Sequence, residues 1–305
     1  MQSQVSTHQP LKPRNKLRES PLPWLVPLLL ILIVVFLFPV IEIIRLSFTD
    51  STLVDPNYSY TLSSYLSLFN QPGFQRMMWI TLLFVVFSVS FQLILGLLVA
   101  LAIDQGQKRN LKGTIAVRTA VLTAWAIPGV VIGVIWRIMY NETEAGILNF
   151  FVSTVSGTTV PFLSDPTFAL VAVILANIWR GTAFSMILIY GGLQTLPKDI
   201  LESARIDGAN AIKRLTKIIL PILAPIIMIN LVIISIDTFN TFDMVMALTG
   251  GGPGQSTEII ALSIYNLIFR EFNLGQGAAA AVVLLTINII MTLVYLKILG
   301  REGRS

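Results

Sequence analysis

Long apolar runs alternate with short polar segments along the whole chain. A helix needs about 20 predominantly apolar residues to cross the ~30 Å hydrocarbon core of a bilayer. A cleaved signal peptide does not explain apolar runs that are spread from one end of the chain to the other. The pattern predicts six transmembrane helices, at about residues 23–48, 78–103, 115–140, 167–193, 218–242 and 278–299.

Composition agrees with a bilayer environment. Of the 305 residues, 54% are hydrophobic and only 12% are charged, whereas charged residues make up about 25% of a typical soluble domain. We therefore predict an all-α integral membrane protein whose span region, residues 21–300, forms one domain and contains a loop at 196–217. Polar tails flank it at 1–20 and 301–305; the first is interpreted as a mobile cytoplasmic tail or, alternatively, as a regulatory segment.

The loops between the predicted spans differ sharply in their basic residues. Six spans put both termini on one side, and positively charged loops stay in the cytoplasm. On that side lie Lys12, Arg14, Lys16, Arg18, Lys108, Arg109, Lys112, Arg118, Lys198, Arg205, Lys213, Arg214, Lys217, Lys297, Arg301 and Arg304. Only Arg76, Arg137 and Arg270 lie on the other side. We predict a multi-pass protein of a bacterial or archaeal cytoplasmic (inner) membrane with both termini cytoplasmic, whose basic pI of 9.6 reflects topology rather than nucleic-acid binding.

Residue chemistry excludes several classes of function. The chain has no cysteine, and its single histidine, His8, lies in the polar tail. Zinc, haem and catalysis by a cysteine or histidine nucleophile are therefore not expected, and no metal site or catalytic residue is predicted. The glycine-rich segment 250–257 has Gln255 where a phosphate-binding loop would need a lysine, so it encodes no nucleotide site.

The loop at 196–217 predicts a helix, a glycine turn and a second helix. Pro197 suits a first helical turn, and Glu202 is favourable near the positive end of the helix. Gly208 can adopt the left-handed conformation that ends a helix and redirects the chain. Taken alone, this pattern also fits an ordinary amphipathic helix between two spans.

The same loop carries a specific resemblance. Its motif is Glu202-Ser203-Ala204, three residues, Gly208, nine residues, Ile218, one residue and Leu220-Pro221. This resembles the EAA loop of binding-protein-dependent ABC permeases, with Ser203 as the one departure from the Glu-Ala-Ala core. The outward segment 248–253 resembles that of the carbohydrate-uptake branch. The chain is identified as a member of the maltose-type sugar ABC permeases.

The resemblance implies a set of partners. It implies that the loop docks on a cytoplasmic ATPase, with coupling residues Glu202, Ser203, Ala204, Asp207 and Gly208. It further implies a second permease subunit, two ATPase subunits and an extracytoplasmic solute-binding protein. ATP and Mg are then used by the ATPase subunits, so this chain binds no cofactor and is not itself an enzyme.

Polar residues within the spans form helical stripes. Such groups are costly in hydrocarbon and tend to face the bundle interior or a water-filled cavity. The fourth span carries Asn177, Arg180, Gly181 and Ser185, and the fifth carries Asn230, Asp237, Asn240 and Thr241. Hydrogen bonding between helices, with no solute involved, is the alternative explanation for each residue.

The family resemblance implies a solute path through the third, fourth and fifth spans. The implied positions are Trp125, Gly129, Asn177, Arg180, Gly181, Thr238 and Thr241. Asp237 and Asn240 join them as members of the fifth-span stripe. Trp125 is suited to stack on the apolar face of a sugar ring.

Arg180 lies near the predicted bilayer midplane and cannot lose its proton. We expect it to pair with Asp237, whereas Asp243 is expected nearer the surface and solvated. At the start of the sixth span, Gly275, Gly277 and the alanine run 278–281 are expected to permit close helix packing rather than solute contact.

These observations predict the permease subunit of an ATP-driven importer for a di- or oligosaccharide or a related polyol. Arg180 leaves open a phosphorylated polyol, such as a glycerol phosphate diester. An ion-coupled secondary transporter and a structural or assembly protein of the membrane also remain alternatives.

The charge distribution makes a topological prediction. Single cysteines placed in segment 196–212 should react with a membrane-impermeant thiol reagent only from the cytoplasmic side, and cysteines in segment 250–257 only from outside. The native sequence has no cysteine and gives no background. Reversed accessibility of the two segments would contradict the assignment.

Overall fold

A computed structural model describes residues 22–55, 57–143 and 146–302. The predicted N-terminal tail, 1–20, and residues 303–305 of the predicted C-terminal tail lie outside the described residues. The described part is almost wholly helical, with a single isolated bridge between Thr49 and Tyr60. Helices satisfy their own backbone hydrogen bonds, which is what hydrocarbon requires of a spanning segment. The all-α prediction is confirmed.

The helices follow the predicted order of spans. The first span is α1 (Leu22–Ile31), a π-helical turn (Leu32–Leu37) and α2 (Phe38–Ser47). The second is α4 (Phe74–Lys108), the fourth α8 (Pro166–Gln194) and the sixth α14 (Leu274–Glu302). The fifth comprises α10 (Ala211–Arg214), a π-helical turn (Leu215–Ile219) and α11 (Leu220–Asn240). Outside the spans lie α3 (Ser63–Asn70), α7 (Ile147–Ser156), α9 (Lys198–Ile206), α12 (Asp243–Leu248) and α13 (Ile260–Phe269).

The third span is broken, and the prediction of one continuous helix over 115–140 is wrong. Two helices, α5 (Thr114–Ala126) and α6 (Gly129–Met139), meet at an angle of 106°. Pro128 lies at the break and disfavours the helical conformation in the residue before it, so Ile127 is extended. The described residues therefore contain five candidate spans without such a break, or six candidate spans if this bent pair is counted as one.

The packing of α4 against α8 forms the centre of the bundle. Gly96 of α4 lies so close to Ser185 of α8 that a Cβ atom would overlap the Ser185 side chain and crowd the Met186 backbone. Gly181 of α8 leaves space for the carboxamide of Gln92 in the same way. Small residues thus bring two long helices together without a hydrophobic driving force between them.

The small residues of the sixth span allow close packing, as predicted. Gly275 contacts the carbonyl oxygen of Thr49, and Gly277 contacts the side chain of Ile268. Ala279 and Ala280 are fully buried in the outer cluster with Leu68 and Leu267. The sixth span is therefore fixed to the outer loops rather than to the solute path.

Glu142, which follows α6 of the broken third span, is hydrogen-bonded to the segment just before α8. Its carboxylate accepts hydrogen bonds from the backbone N–H groups of Leu163 (2.7 Å) and Ser164 (2.6 Å) and from the Ser164 hydroxyl (2.9 Å). Burial raises the pKa of Glu142, but these bonds outweigh burial and hold the pKa below its ordinary value. Their contribution is present above the ordinary pKa and is lost as pH falls through the lowered one.

The contact at Gly96 predicts a stability loss on substitution. Gly96→Ala should lower the free energy of unfolding by about 1–3 kcal/mol, because the methyl group forces α4 and α8 apart. Gly191→Ala is the matched control, since it is another helical glycine and nothing lies within 4 Å of its added Cβ. Thermal unfolding of both variants in one detergent measures the effect. Equal stability of the two variants would contradict the packing described.

Candidate solute path and coupling loop

The coupling loop has the predicted helix, glycine turn and helix. After α9, Gly208 adopts a left-handed φ of +75°, and Ala209 N–H donates to the Ala204 carbonyl at 2.9 Å. Asn210 then caps α10, accepting from the Lys213 N–H at 2.8 Å. The conformation is confirmed, while the coupling role of these residues stays a prediction.

The loop has one face against the bundle and one face exposed. Ala204 is buried, whereas Glu202, Ser203 and Asp207 are exposed. At the end of α9, Ile206 leaves 86% of its surface exposed.

Asn177 and Gly181 face α4 rather than an open path. Asn177 is 1% exposed, and its backbone carbonyl oxygen accepts a hydrogen bond from Gln92 Nε2 at 3.0 Å. Gly181 provides the space for that same Gln92 side chain. The arrangement is interhelical packing, and it brings neither residue to the open side of the bundle. The buried Nδ2 atom of Asn177 has no hydrogen-bond partner among the described residues.

Arg180 pairs with Asp237, as predicted. Its Nη1 atom lies 3.7 Å from Asp237 Oδ2, with the Arg180 side chain 18% and the Asp237 side chain 55% exposed. At this separation the contact is electrostatic rather than a direct hydrogen bond. The buried Nε atom of Arg180 has no partner in the described part of the chain. The guanidinium therefore keeps donor capacity for another group.

The other fifth-span candidates divide between the two sides of α11. Thr238 and Thr241 are buried, and the Thr241 hydroxyl donates to the Asp237 carbonyl at 2.9 Å. Asn240 is exposed and donates to the Ile236 carbonyl at 2.7 Å. Asp237 and Asn240 are thus exposed on the same side of α11, and this side of the bundle is called the open face.

Trp125 and Gly129 flank the break in the third span. Trp125 is 52% exposed, and its ring centroid lies 5.5 Å from that of Phe184. Phe184 is four residues after Arg180 on α8, so both lie on one helix face. The aromatic pair and the ion pair therefore border the same side of the fourth span.

The environment of Asp243 differs from the predicted one. This residue was expected near the surface and solvated, but it is half-buried at the start of α12, and its carboxylate lies directly against Gly129. Gly129 begins α6, whose first N–H groups lack helical partners and attract negative charge. A carboxylate at that helix end is favourable, which explains the departure from a solvated position.

Sequence reasoning missed Gln92, Phe184 and Asp243 as members of this region. Gln92 had a readable signal, because it is the single amide within the apolar run 78–103. Phe184 had no such signal, since a single aromatic residue in an apolar span does not indicate a solute contact. Among the described residues, no group of three or more His, Cys, Asp and Glu side chains could hold a metal ion.

The ion pair predicts non-additive effects on stability. Asp237→Ala should destabilise the chain more than Arg180→Ala, because it leaves the more buried charge unpaired. The double variant should recover part of the loss, with a coupling of about 0.5–1 kcal/mol given the exposure of Asp237. Thermal unfolding of all three variants measures this, with Asn240→Ala as an exposed control on the same helix. Strictly additive losses would exclude the interaction.

Comparison with known proteins gives consistent matches. Residues 92–301 match the family described as "Binding-protein-dependent transport system inner membrane component". The chain is 35% identical over 301 residues to the trehalose/maltose transport system permease protein MalF of Thermococcus litoralis, covering 97% of this chain and 99% of that protein. It is 29% identical over 270 residues to the sn-glycerol-3-phosphate transport system permease protein UgpA of Brucella suis, covering 88% and 90%.

A solved structure shares the fold. It is a bacterial ABC transporter involved in the import of the acidic polysaccharide alginate, and it superposes with a TM-score of 0.80. The match covers 94% of this chain and 97% of that chain, at 23% sequence identity. The arrangement of spans is therefore that of an ABC transporter membrane subunit.

Proposed function

The chain belongs to the family of binding-protein-dependent transport system inner membrane components, and we propose that it forms half of an importer for a di- or oligosaccharide or related polyol. Members of this family are membrane-spanning transport components rather than enzymes. The observation that carries the proposal is the exposed loop at 196–217 on a bundle that presents polar groups on an open face. ATP and Mg belong to two separate ATPase subunits, and a solute-binding protein delivers the solute from outside.

Coupling rests on how the loop joins the spans. Leu196 before α9 and Leu223 in α11 belong to one buried cluster with Met186 and Ile189 of α8. The exposed face of α9, including Glu202 and the tip at Ile206, is free to dock in a cleft of the ATPase. Movement of α9 is then transmitted to the fourth and fifth spans, because the cluster is close-packed and resists deformation.

A second permease subunit completes the solute path. Asp237 and Asn240 are exposed in the last turn of the fifth span, and uncovered polar groups within a span are costly in hydrocarbon. Trp125 is exposed beside them at the break. A partner subunit that encloses this face converts it from a lipid-facing surface into the wall of a water-filled cavity. In this arrangement both termini of the chain lie in the cytoplasm.

The solute contacts fit a neutral sugar. The Trp125 and Phe184 rings offer a surface for the apolar face of a pyranose, and the Arg180–Asp237 pair offers a donor and an acceptor to its hydroxyl groups. Similarity to a trehalose/maltose permease supports this class of solute.

An anionic polyol is the second candidate. The Arg180 Nε atom has no hydrogen-bond partner among the described residues, and the pair with Asp237 at 3.7 Å leaves the guanidinium able to turn toward a phosphate. Similarity to a glycerol-3-phosphate permease favours this candidate. Family membership favours ATP-driven transport over an ion-coupled transporter or an assembly protein.

Uptake measurements distinguish the two solute classes. In the reconstituted transporter, Asp237→Ala should impair uptake of a neutral disaccharide as strongly as Arg180→Ala if the pair orients hydroxyl groups. If the solute is anionic, Arg180→Ala should abolish uptake of a phosphorylated polyol while Asp237→Ala retains it. Wild-type transport of both solutes by both variants and by the double variant would eliminate Arg180 from the path.

The coupling assignment is tested at two equivalent glycines. Gly208→Pro should abolish solute-stimulated ATP hydrolysis and uptake while membrane insertion persists, because proline cannot adopt the required φ. Gly157→Pro is the control, since Gly157 has nearly the same φ (+72° against +75°) and equally open surroundings, but lies in the outer loop. Glu202→Lys should act like Gly208→Pro. Normal stimulated ATPase activity in a fully assembled Glu202→Lys complex would exclude the loop as the coupling element.

A further inference from the structure

A cavity of about 770 Å³ lies between the end of α4 and the coupling loop. Its lining comes from α4, the end of α8, α9, α10 and the turn that follows α10. It is separate from the open face that carries Asp237, and Glu202 is the one coupling residue named above that also lines it. Its lining residues are Leu101, Asp104, Gln105, Lys108, Arg109, Leu193, Gln194, Leu196, Leu201, Glu202, Arg205, Ala211, Ile212, Arg214, Leu215 and Ile219.

The charged lining of this cavity is mainly basic. Lys108 pairs with the buried Asp104 at 2.6 Å, and Arg214 Nη1 donates to the Ala209 carbonyl at 2.7 Å. Arg109 and Arg205 are exposed and form no ion pair within the described residues. Two guanidinium groups without an ion-pair partner among the described residues, one directly after α4 and one in α9, therefore line one cavity, and this arrangement suits a phosphate group.

Eight of the sixteen lining residues are apolar, and this apolar part begins deeper in the membrane than the arginines. From Leu101 to Arg109, the residue directly after α4, the chain rises about 12 Å, from the predicted end of the hydrocarbon core into the headgroup layer. Ile212 is 73% exposed, and Leu215 and Ile219 continue along the cavity wall toward the fifth span. A ligand that fills the cavity must be anionic at one end and apolar at the other.

We propose that this cavity binds one anionic phospholipid of the cytoplasmic leaflet. Its phosphate lies between Arg109 and Arg205, and its acyl chains follow Ile212, Leu215 and Ile219. Basic pockets between helices on the cytoplasmic side of a membrane favour such headgroups. The bound lipid links the end of the second span to the coupling loop, so it supports the loop on the face opposite the exposed tip at Ile206.

Brominated lipids test the site without any transport measurement. The full-length chain carries a fluorophore on Ile212→Cys, which is specific because no native cysteine is present. It is reconstituted in phosphatidylcholine vesicles that contain a minor fraction of brominated phosphatidylglycerol or, in parallel, brominated phosphatidylcholine. Phosphatidylglycerol should quench more strongly at equal mole fraction. A label on Ile147→Cys, an exposed outer position, should show no preference between the two lipids.

Charge removal assigns the preference to the two arginines. Arg109→Gln with Arg205→Gln should lower the relative affinity for phosphatidylglycerol roughly fivefold per removed charge. Arg76→Gln with Arg270→Gln removes two exposed charges on the opposite side and should leave the preference unchanged. If the first pair impairs insertion, seen as altered quenching at position 147, Arg109→Gln alone gives the same test with half the charge removed.

Two results would overturn the proposal. Equal quenching at position 212 by the two brominated lipids would show that the cavity does not select an anionic lipid. Loss of the phosphatidylglycerol preference on addition of inorganic phosphate, at constant ionic strength, would assign the cavity to a soluble anion instead.

Discussion

The hydrocarbon core allows no unsatisfied backbone group, and this constraint governs the whole bundle. Five spans meet it as uninterrupted helices, but the third is interrupted at Pro128. There α12 covers the break: Gly133 of α6 contacts the Met244 carbonyl and Ala247, and the Asp243 carboxylate lies against Gly129. Irregular backbone at membrane depth is tolerated where protein or a water-filled cavity surrounds it. The break also leaves Trp125 at the open face, so the irregularity and the candidate solute path occupy one place.

The fifth span connects the coupling loop to the polar residues of the open face. From Ala211 to Asn240 the fifth span rises about 45 Å, from the coupling loop to the polar face. Its first turns are π-helical over Leu215–Ile219, and such turns frequently occur at functional sites. In the proposed mechanism a displacement of α9 therefore reaches Asp237 through the fifth span and Arg180 through the fourth span.

The sequence predicted five of the six spans, the conformation of the loop at 196–217 and the Arg180–Asp237 pair, because each depends on local pattern or on one dominant energetic cost. The charge of Arg180 in hydrocarbon demands an acceptor, and few are available at that depth. The helix that Asn177 and Gly181 contact was not predictable in this way. Their neighbour, Gln92, belongs to a helix that lies 85 residues earlier in the chain than Asn177. The break was signalled by Pro128-Gly129, but its 106° angle depends on packing against α12. A stripe on a helix identifies a face, and only tertiary structure identifies what that face meets.

The central claim is that the open face of α11 lines a path reached alternately from the two sides of the membrane. Asn240→Cys in the assembled, reconstituted transporter tests it directly, with Leu293→Cys, an exposed apolar position of the sixth span, as a lipid-facing control. We predict that a membrane-impermeant thiol reagent labels Asn240→Cys from the cytoplasmic side at rest and from the outer side after vanadate trapping of the ATPase, while Leu293→Cys stays unlabelled. Protection of Asn240→Cys from both sides in both states would contradict the claim.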